Sequence, residues 1–352
     1  MYTQNGRITF EKSDLKFLQK HGLSKAVVIY EEHCAHSNLP FVTDHHQLAG
    51  LLGCYTNVLF QTLRTVDELY YDAAIPKATG GYRTLQVPTH PLRYMQTVIL
   101  HSILDKLPVS PYATAYHKGA RITDNAKPHQ HKKYLLKMDL QDFFSSITFE
   151  QVLSGVFHKG RFPTHVGVSL TALCCKNGVL PQGAPTSPAL SNLVMSHFDG
   201  VMGEWCCRQG FSYTRYCDDI TVSGNRPLYA AYQKAKGLLE NMGFELNEKK
   251  TRFVTAAHRQ TVTGLTVNQG IGVTADYKRN LRQAVYYTVK FGAADHIRQR
   301  NLTRFMVNGV PQTERYLAHL EGQIRYVLSV EPDNRAMVKL LADLSASPPY
   351  MG

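Results

Sequence analysis

The sequence has no run of about 18 consecutive apolar residues, the length needed for a transmembrane helix, so we expect no membrane span. Its N-terminus, Met1 to Gly22, is polar and mixed in charge, unlike a secretory signal peptide. The 7 cysteines include two adjacent pairs, at 174–175 and 206–207, but no CxxC pair. This usage is more typical of reduced cytosolic thiols than of a disulfide framework or a zinc site. We therefore expect a cytoplasmic protein.

Acidic residues are few compared with basic ones. The chain of 352 residues has 39 Lys and Arg against 27 Asp and Glu, which gives a formal net charge of +12. A positive field of this size favours a polyanionic partner, either nucleic acid or an anionic membrane surface. The length allows about two or three domains. No long linker, low-complexity tract or internal repeat marks a boundary between them.

Two adjacent carboxylates lie in the stretch Tyr216-Cys217-Asp218-Asp219. Residues 211–215 and 220–224 on either side alternate apolar or aromatic with polar side chains, which predicts the two strands of a tight hairpin. Neighbouring carboxylates repel each other, so holding them on a rigid turn costs stability unless a cation neutralises them. Aspartate is also common in ordinary solvated turns, so the dipeptide alone leaves both interpretations open.

A third carboxylate ends an apolar run. Residues 134–140 predict a buried strand that brings Asp139 to its end, where an unpaired acid is costly unless it binds a metal. Asp139 is therefore the natural partner of Asp218 and Asp219. Three such acids suit two divalent ions about 4 Å apart, which activate an attacking hydroxyl and stabilise a leaving pyrophosphate. Mg²⁺ prefers oxygen ligands of this kind.

Two further segments suit a nucleotide. Residues 75–88 predict a hairpin with its turn at Gly80-Gly81, which would place Lys77 and Arg83 on facing arms that can clamp a triphosphate. A solvated hairpin has the same composition. Residues 180–188 predict a rigid Pro- and Gly-rich loop, from which Gln182 could pack under a nucleotide, followed by a helix that begins near Ser187-Pro188.

The remaining segments are predicted to be mostly helical. Residues 13–70 favour helices, with Asp44 as a cap, and Thr148 with Gln151 fits a capping box. Residues 112–134 are polar and basic, which suits either contact with a phosphate backbone or a solvated loop. From Asp276 onward the chain is predicted to be helical, with 11 Lys and Arg against 7 Asp and Glu. Such a surface suits a nucleic-acid duplex, and an ordinary basic helical bundle explains it equally well.

Taken in chain order, from about residue 45 to the end, the segments resemble those of a reverse transcriptase. Leu180-Pro181-Gln182-Gly183 followed by Tyr-x-Asp-Asp at 216–219 is the most specific part. The resemblance implies an α+β right-hand polymerase with fingers, a palm made of an antiparallel sheet with helices, and a helical thumb. The expected domains are an N-terminal helical segment and fingers at 1–134, the palm at 135–274 with part of the fingers at 151–185, and the thumb at 275–352.

The resemblance also implies roles for single residues. Asp139, Asp218 and Asp219 would be catalytic, and together with Leu140 they would bind two Mg²⁺ ions. The expected nucleotide-binding residues follow the family's pattern. They are Lys77 and Arg83 on the triphosphate, Phe144 as the side chain that rejects a 2′-hydroxyl, Gln182 beside the nucleotide, and Lys250 as the proton donor to pyrophosphate.

Within the family, two short elements resemble those of bacterial retron enzymes. Residues 125–129 resemble an Asn-Ala-x-x-His element, and Val262-Thr263-Gly264 resembles a Val-Thr-Gly element at the primer grip. The RNA-binding residues implied are Asn125, His129, Val262, Thr263 and Gly264. Cys217 departs from the alanine that is frequent there.

The retron resemblance implies a set of partners. A cognate structured noncoding RNA would serve as template and primer, and deoxynucleoside triphosphates would be the substrates. Synthesis would start from the 2′-hydroxyl of one RNA guanosine, and the product would be a branched RNA–DNA hybrid. A host ribonuclease H would remove the template, and a separate effector protein would act with the enzyme in defence against phage.

Three other functions remain open from the sequence. One is a different bacterial defence or group II intron-like reverse transcriptase with another primer. Another is an RNA polymerase, which the bulky Phe144 disfavours. The third is a non-catalytic RNA-binding scaffold, which has no need for three crowded acids.

Overall fold

The structure, a computed structural model, describes residues 2–4, 7–9, 34, 38–76 and 80–346. Part of the region predicted to be helical, 13–70, lies outside these residues, as does Lys77. Within the described part of that region, the side chain of Asp44 accepts a hydrogen bond from Gln47 N and caps the helix that begins at His45, as predicted. None of the helices in the described ranges is long and apolar enough to cross a membrane.

The helices of the described chain are α1 (His45–Leu51), α2 (Thr56–Arg64), α3 (His90–Ser102), α4 (Ile122–Ala126), α5 (Phe149–Gly155), α6 (Thr164–Cys174), α7 (Ser187–Val194), α8 (Ser196–Arg208), α9 (Tyr229–Asn241), α10 (Ala275–Phe291), α11 (Ala293–Gln299), α12 (Thr313–Val330) and α13 (Arg335–Ser345). The strands are β1 (Tyr2–Gln4), β2 (Arg7–Thr9), β3 (Tyr70–Pro76), β4 (Tyr82–Pro88), β5 (Tyr134–Asp139), β6 (Ser212–Tyr216), β7 (Asp219–Gly224), β8 (Arg252–Thr255), β9 (Thr261–Val262), β10 (Leu265–Thr266), β11 (Gly272–Val273), β12 (Met306–Val307) and β13 (Val310–Pro311).

Backbone contacts divide the chain into two compact units. The first comprises Met1–Arg121, Leu136–Val222 and Pro227–Arg252, and the second comprises Ile122–Leu135, Ser223–Arg226 and Phe253–Gly352. The fingers, palm and thumb boundaries expected from the sequence stay a prediction, because compactness of the backbone does not mark functional domains.

The sheet that carries the acids has the strand order β6-β7-β5-β8. Cys217 and Asp218 alone join β6 to β7, so these neighbouring strands form the tight hairpin predicted from their alternation. Strand β5 is largely buried, as its apolar run predicts, and it ends at Asp139. After it, Thr148 and Gln151 form the predicted capping box at the start of α5.

The predicted hairpin at residues 75–88 is also present. Strands β3 and β4 pair antiparallel from Tyr70 opposite Pro88 to Pro76 opposite Tyr82. Gly80 and Gly81 precede β4 with φ values of 90° and 78°, a conformation that glycine adopts without steric cost. Arg83 lies opposite Ile75 near the end of the paired region.

Two expectations about the helices were wrong in detail. The single helix predicted to begin near Ser187 is divided into α7 and α8, because Met195 has a ψ of −2° and ends the first helix. The region after Asp276 is not helical throughout, since β12 and β13 form an antiparallel hairpin. Asn308 and Gly309, with φ values of 49° and 79°, make its turn.

The second unit has its own apolar core. It contains the three-stranded sheet β11-β10-β9 and helices α10 to α13. Its buried side chains come from both, and include Val262, Leu265, Leu281, Ile324 and Met337. Burial of these apolar groups on the helices and short strands holds this unit together.

Two glycines of α8 have opposite surroundings and generate a stability prediction. A Cβ atom at Gly203 would lie 2.2 Å from the ring of Tyr112, whereas one at Gly200 would meet nothing within 4 Å. We expect Gly203→Ala to lower the free energy of unfolding by about 1–3 kcal/mol through overpacking. Gly200→Ala should instead raise it by up to about 1 kcal/mol, because alanine favours the helix. Urea denaturation measures both, and equal effects of the two variants would contradict the packing described here.

Candidate active site

The sheet brings the acids together at the ends of neighbouring strands. Asp139 is the last residue of β5, Asp218 lies in the turn between β6 and β7, and Asp219 begins β7. The main-chain N–H of Leu140 donates to the carbonyl oxygen of Asp218 at 3.1 Å. The carbonyl of Asp139 accepts from the N–H of Asn247 at 2.8 Å. Backbone hydrogen bonds therefore hold the two acid-bearing segments side by side.

The turn that carries Asp218 has an uncommon backbone conformation. Cys217 has a φ of 60°, in the left-handed region that non-glycine residues rarely adopt. Its side chain is 5 % exposed, and the hydroxyl of Tyr116 lies beside its thiol. Burial raises the pKa of Cys217 to about 12, so the thiol stays protonated near neutral pH. Cys217 thus serves as a small packed side chain beside the acid.

The pKa of one carboxylate shows the effect of its charged neighbour. Burial, and then the neighbouring Asp218, raise the pKa of Asp219 above its ordinary value. Asp139 lies against a cation, since the Lys250 Nζ donates to its two carboxylate oxygens at 2.8 and 3.0 Å. The site therefore favours positive charge beside its carboxylates.

A single cleft of about 550 Å³ contains most of the residues predicted to act in catalysis, metal binding or nucleotide binding. Those that line it are Arg83, Asp139, Leu140, Phe144, Gln182, Asp218 and Lys250. Asp219 lies next to Asp218 in the chain but is not part of the cleft lining. The lining also includes residues that the sequence did not single out for this site, among them Asp72, Tyr116 and Asn247.

One wall of the cleft is set by aromatic packing. Phe143 is only 4 % exposed, and its ring lies 5.5 Å from that of Phe144 and 6.1 Å from that of Phe244. Phe144 is half-buried and lines the cleft. Because its neighbour is fixed in the core, the ring of Phe144 has little freedom to leave this wall.

The loop at 180–188 is fixed to the β3–β4 hairpin. The carbonyl oxygen of Gln182 accepts from the N–H of Gln86 at 2.8 Å. At Gly183, which has a φ of 135°, a Cβ atom would lie 2.8 Å from the carbonyl oxygen of Gln86. Only glycine allows this close approach, which aligns Gln182 and β4 along the same cleft.

The residues present fit a divalent metal ion in chemical type. Asp139 and Asp218 supply carboxylates to one cleft, and the carboxylate of Asp139 already binds a cationic group. Hard cations prefer oxygen donors of this kind. Within the described ranges, no group of three His, Cys, Asp or Glu residues is arranged to hold a metal ion.

Comparison with known proteins identifies the family. A sequence profile described as reverse transcriptase (RNA-dependent DNA polymerase) matches residues 75–268, more than half of the chain. The Escherichia coli retron Ec86 reverse transcriptase is 31 % identical over 267 residues, which cover 74 % of this chain and 83 % of that one. The chain belongs to the reverse transcriptase family, in its retron branch.

Other retron reverse transcriptases match over similar lengths. The Escherichia coli retron Ec83 enzyme is 34 % identical over 274 residues, covering 73 % of this chain and 82 % of its own. The Myxococcus xanthus retron Mx65 enzyme is 30 % identical over 329 residues, covering 86 % and 72 %. Among solved structures, apo telomerase from Candida tropicalis has a TM-score of 0.43 at 10 % identity, covering 83 % of this chain and 66 % of that one. Similarity at this level supports no conclusion.

Family membership confirms the central expectations. The chain is an RNA-directed DNA polymerase with the α+β, right-hand fold of reverse transcriptases, and an RNA template is its partner. Enzymes of this family use divalent metal ions, in agreement with the carboxylates of the cleft.

The residues predicted to bind RNA lie in the second unit, and their RNA-binding role stays a prediction. Asn125 and His129 are 1 % and 0 % exposed. The His129 Nδ1 lies 2.7 Å from the Ser223 hydroxyl, and burial, helped by Lys132, lowers the pKa of His129 to about 3. Buried polar side chains of this kind are held by hydrogen bonds inside the protein.

The Val-Thr-Gly element forms a short turn. Val262 is fully buried in β9, while Thr263 and Gly264, with φ values of 46° and 82°, connect β9 to β10. The Asn125 Nδ2 donates to the Thr263 hydroxyl at 3.5 Å. Asn125 therefore helps to shape the turn, and the exposed Gly264 is the part that faces solvent.

Tyr116 is the main feature of the cleft that the sequence analysis did not single out. It has a φ of 59°, is 47 % exposed and lies beside Cys217 in the turn that carries Asp218. The residues around it predicted only a polar, basic loop, because a single left-handed residue leaves no periodic pattern in the sequence.

Proposed function

We propose that this enzyme copies part of a cognate structured noncoding RNA into single-stranded DNA, starting from the 2′-hydroxyl of an RNA guanosine. The observation that supports it best is the single cleft that joins Asp139 and Asp218 to Phe144, Gln182 and Lys250. This set combines acids for metal-assisted nucleotidyl transfer with side chains that can select a deoxynucleotide.

Asp139, Asp218, Asp219 and the main-chain carbonyl of Leu140 would hold two Mg²⁺ ions. When bound, the ions would activate the attacking hydroxyl and stabilise the leaving pyrophosphate. The chain itself contributes the rigid placement of the carboxylates at the ends of β5 and the β6–β7 hairpin. Such preorganised charges need no rearrangement during the reaction.

The other cleft residues would bind and select the incoming nucleotide. Arg83, with its fork of donors, would hold the triphosphate together with Lys77, which lies outside the described residues. Phe144 would exclude a 2′-hydroxyl, and Gln182 would lie beside the nucleotide. Lys250, whose ammonium group lies in the cleft, would give a proton to the leaving pyrophosphate.

The wider assignment rests on similarity to retron reverse transcriptases of Escherichia coli and Myxococcus xanthus. We propose action with a separate effector protein in defence against phage, and removal of the template RNA by a host ribonuclease H. The Thr263-Gly264 turn, in which Gly264 is exposed, and the basic helices of the second unit would contact RNA.

The metal-binding role predicts a loss of activity without loss of RNA binding. Asp218→Ala should reduce DNA synthesis by roughly 1000-fold or more, since it removes several kcal/mol of metal-assisted stabilisation. Affinity for RNA, measured by filter binding, should stay close to that of the unchanged enzyme. Asp343→Ala, which removes an exposed acid in α13, is the control and should leave synthesis intact. Undiminished synthesis by Asp218→Ala would overturn the site assignment.

The proposed role of Phe144 predicts a change in sugar selection. Phe144→Ala should increase incorporation of ribonucleotides relative to deoxynucleotides by about tenfold or more, because the wall beside the sugar is removed. Single-nucleotide extension with each substrate in turn measures the ratio. Phe144→Tyr keeps the bulk of the ring and should keep the preference. An unchanged ratio in Phe144→Ala would exclude this side chain as the gate.

The proposed primer predicts the chemical linkage of the product. When the enzyme is expressed together with the DNA that flanks its gene, the DNA that it synthesises should be joined to RNA through a 2′–5′ bond. A debranching enzyme should then release free single-stranded DNA, which denaturing gel electrophoresis detects. DNA that is linear from the start, or attached to protein, would favour a different class of reverse transcriptase.

A further inference from the structure

Behind the catalytic hairpin lies a fully buried ion pair. Arg215 on β6 and Asp199 on α8 are both 0 % exposed. The Arg215 Nε donates to Asp199 Oδ1 at 2.8 Å, and its Nη2 donates to Oδ2 at 2.7 Å. The hydroxyl of Tyr213 donates to the same carboxylate at 2.7 Å. This two-point contact fixes the plane of the guanidinium group.

The third nitrogen of the guanidinium group reaches the turn that carries Asp218. Nη1 of Arg215 donates to the carbonyl oxygen of Cys217 at 3.0 Å. That carbonyl belongs to the peptide that leads into Asp218, and Cys217 is in the left-handed conformation with a φ of 60°. An uncommon backbone conformation persists only where surrounding contacts maintain it. The guanidinium group supplies one such contact from inside the protein.

A second set of bonds connects the same arginine to the loop of Tyr116. The Arg215 Nη1 also donates to Asn192 Oδ1 at 3.2 Å, and the Asn192 Nδ2 donates to the carbonyl oxygen of Ala115 at 2.7 Å. The carbonyl oxygen of Arg215 itself accepts from Thr114 N at 2.8 Å. Tyr116 follows Ala115 directly in this loop, lines the cleft and lies beside the Cys217 thiol.

Stability alone does not account for this arrangement. Removing two charges from water costs several kcal/mol per ion, and well-packed apolar side chains often replace a buried ion pair with no loss of stability. The pair does provide directed donors at fixed angles, which apolar side chains lack. The ion pair therefore matters more for the geometry of the turn than for the stability of the fold.

We propose that Arg215, oriented by Asp199, is a positioning residue for DNA synthesis that holds the Asp218 turn and the Tyr116 loop in their working geometry. Arg215 is fully buried and acts through Cys217 and Asn192, without touching the substrate. The inference rests on the proposed function, because it takes Asp218 as the metal-binding acid.

The test removes both charges at once, so that no unpaired ion is left in the core. In Asp199→Leu with Arg215→Met, we expect a folded protein whose thermal midpoint falls only slightly, because the Tyr213 hydroxyl loses its acceptor but no unpaired ion remains. Its kcat should fall by roughly 100-fold, the effect of a displacement of about 1 Å at the reacting groups. The KM for deoxynucleotides and the affinity for RNA should stay within about threefold, because the binding groups themselves are intact.

Arg215→Lys provides a second variant that keeps a cation opposite Asp199. Lysine lacks the planar fork, so it cannot hold Asp199 and the Cys217 carbonyl together. We expect a fall in kcat of about tenfold, again with little change in KM. If circular dichroism shows that the double variant does not fold, Arg215→Lys tests the positioning role of Arg215 by itself.

A control removes a different ion pair of the same unit. Lys236 Nζ and Glu248 Oε1 lie 3.0 Å apart, with side chains 38 % and 52 % exposed, and neither residue lines the cleft. Lys236→Met with Glu248→Gln should leave kcat unchanged, which separates the proposed role from a general effect of charge removal.

The outcomes distinguish the inference from the proposed function. If Asp218→Ala is inactive while the folded double variant keeps its kcat, Arg215 is not a positioning residue and the site assignment stands. A parallel loss of kcat, RNA affinity and thermal midpoint would assign the pair a structural role only. Full activity of Asp218→Ala would overturn the site and this inference together.

Discussion

Repulsion among carboxylates is the constraint on which the active site depends. Asp139 and Asp218 line one cleft, and Asp219 follows directly in the chain. Burial and Asp218 raise the pKa of Asp219, and Lys250 lies against Asp139. Such a cluster is stable only with positive charge nearby. The same requirement for positive charge makes the cleft suitable for divalent ions and for the phosphates that such ions bind.

The backbone around the acids is held from several sides. Hydrogen bonds tie Leu140 to Asp218 and Gln86 to Gln182, and the missing side chain of Gly183 allows that second contact. The left-handed conformation of Cys217 directs the chain sharply between β6 and β7. Catalytic groups need placement within a fraction of an ångström, and hydrogen-bonded strands with short connections provide it better than long loops do.

Local patterns predicted the elements that carry the acids. The alternation around residues 216–219 and the apolar run at 134–140 appear as the β6–β7 hairpin and β5, because burial of one face imposes a regular period. The capping box at Thr148 also formed, since its bonds span only three residues. The break at Met195 was missed because the apolar stripe continues through it. The β12–β13 hairpin was missed although Asn308-Gly309 is a strong turn signal.

From the sequence alone, the order of motifs determined the family, because residue type and spacing suffice for it, and the same motifs predicted the role of the three acids. Only the tertiary structure decided which side chains reach the cleft and which are buried. It placed Tyr116 in the cleft and buried Asn125 and His129, which the sequence had assigned to RNA. Exposure depends on contacts between residues far apart in the chain, such as His129 with Ser223, and no local pattern encodes such a contact.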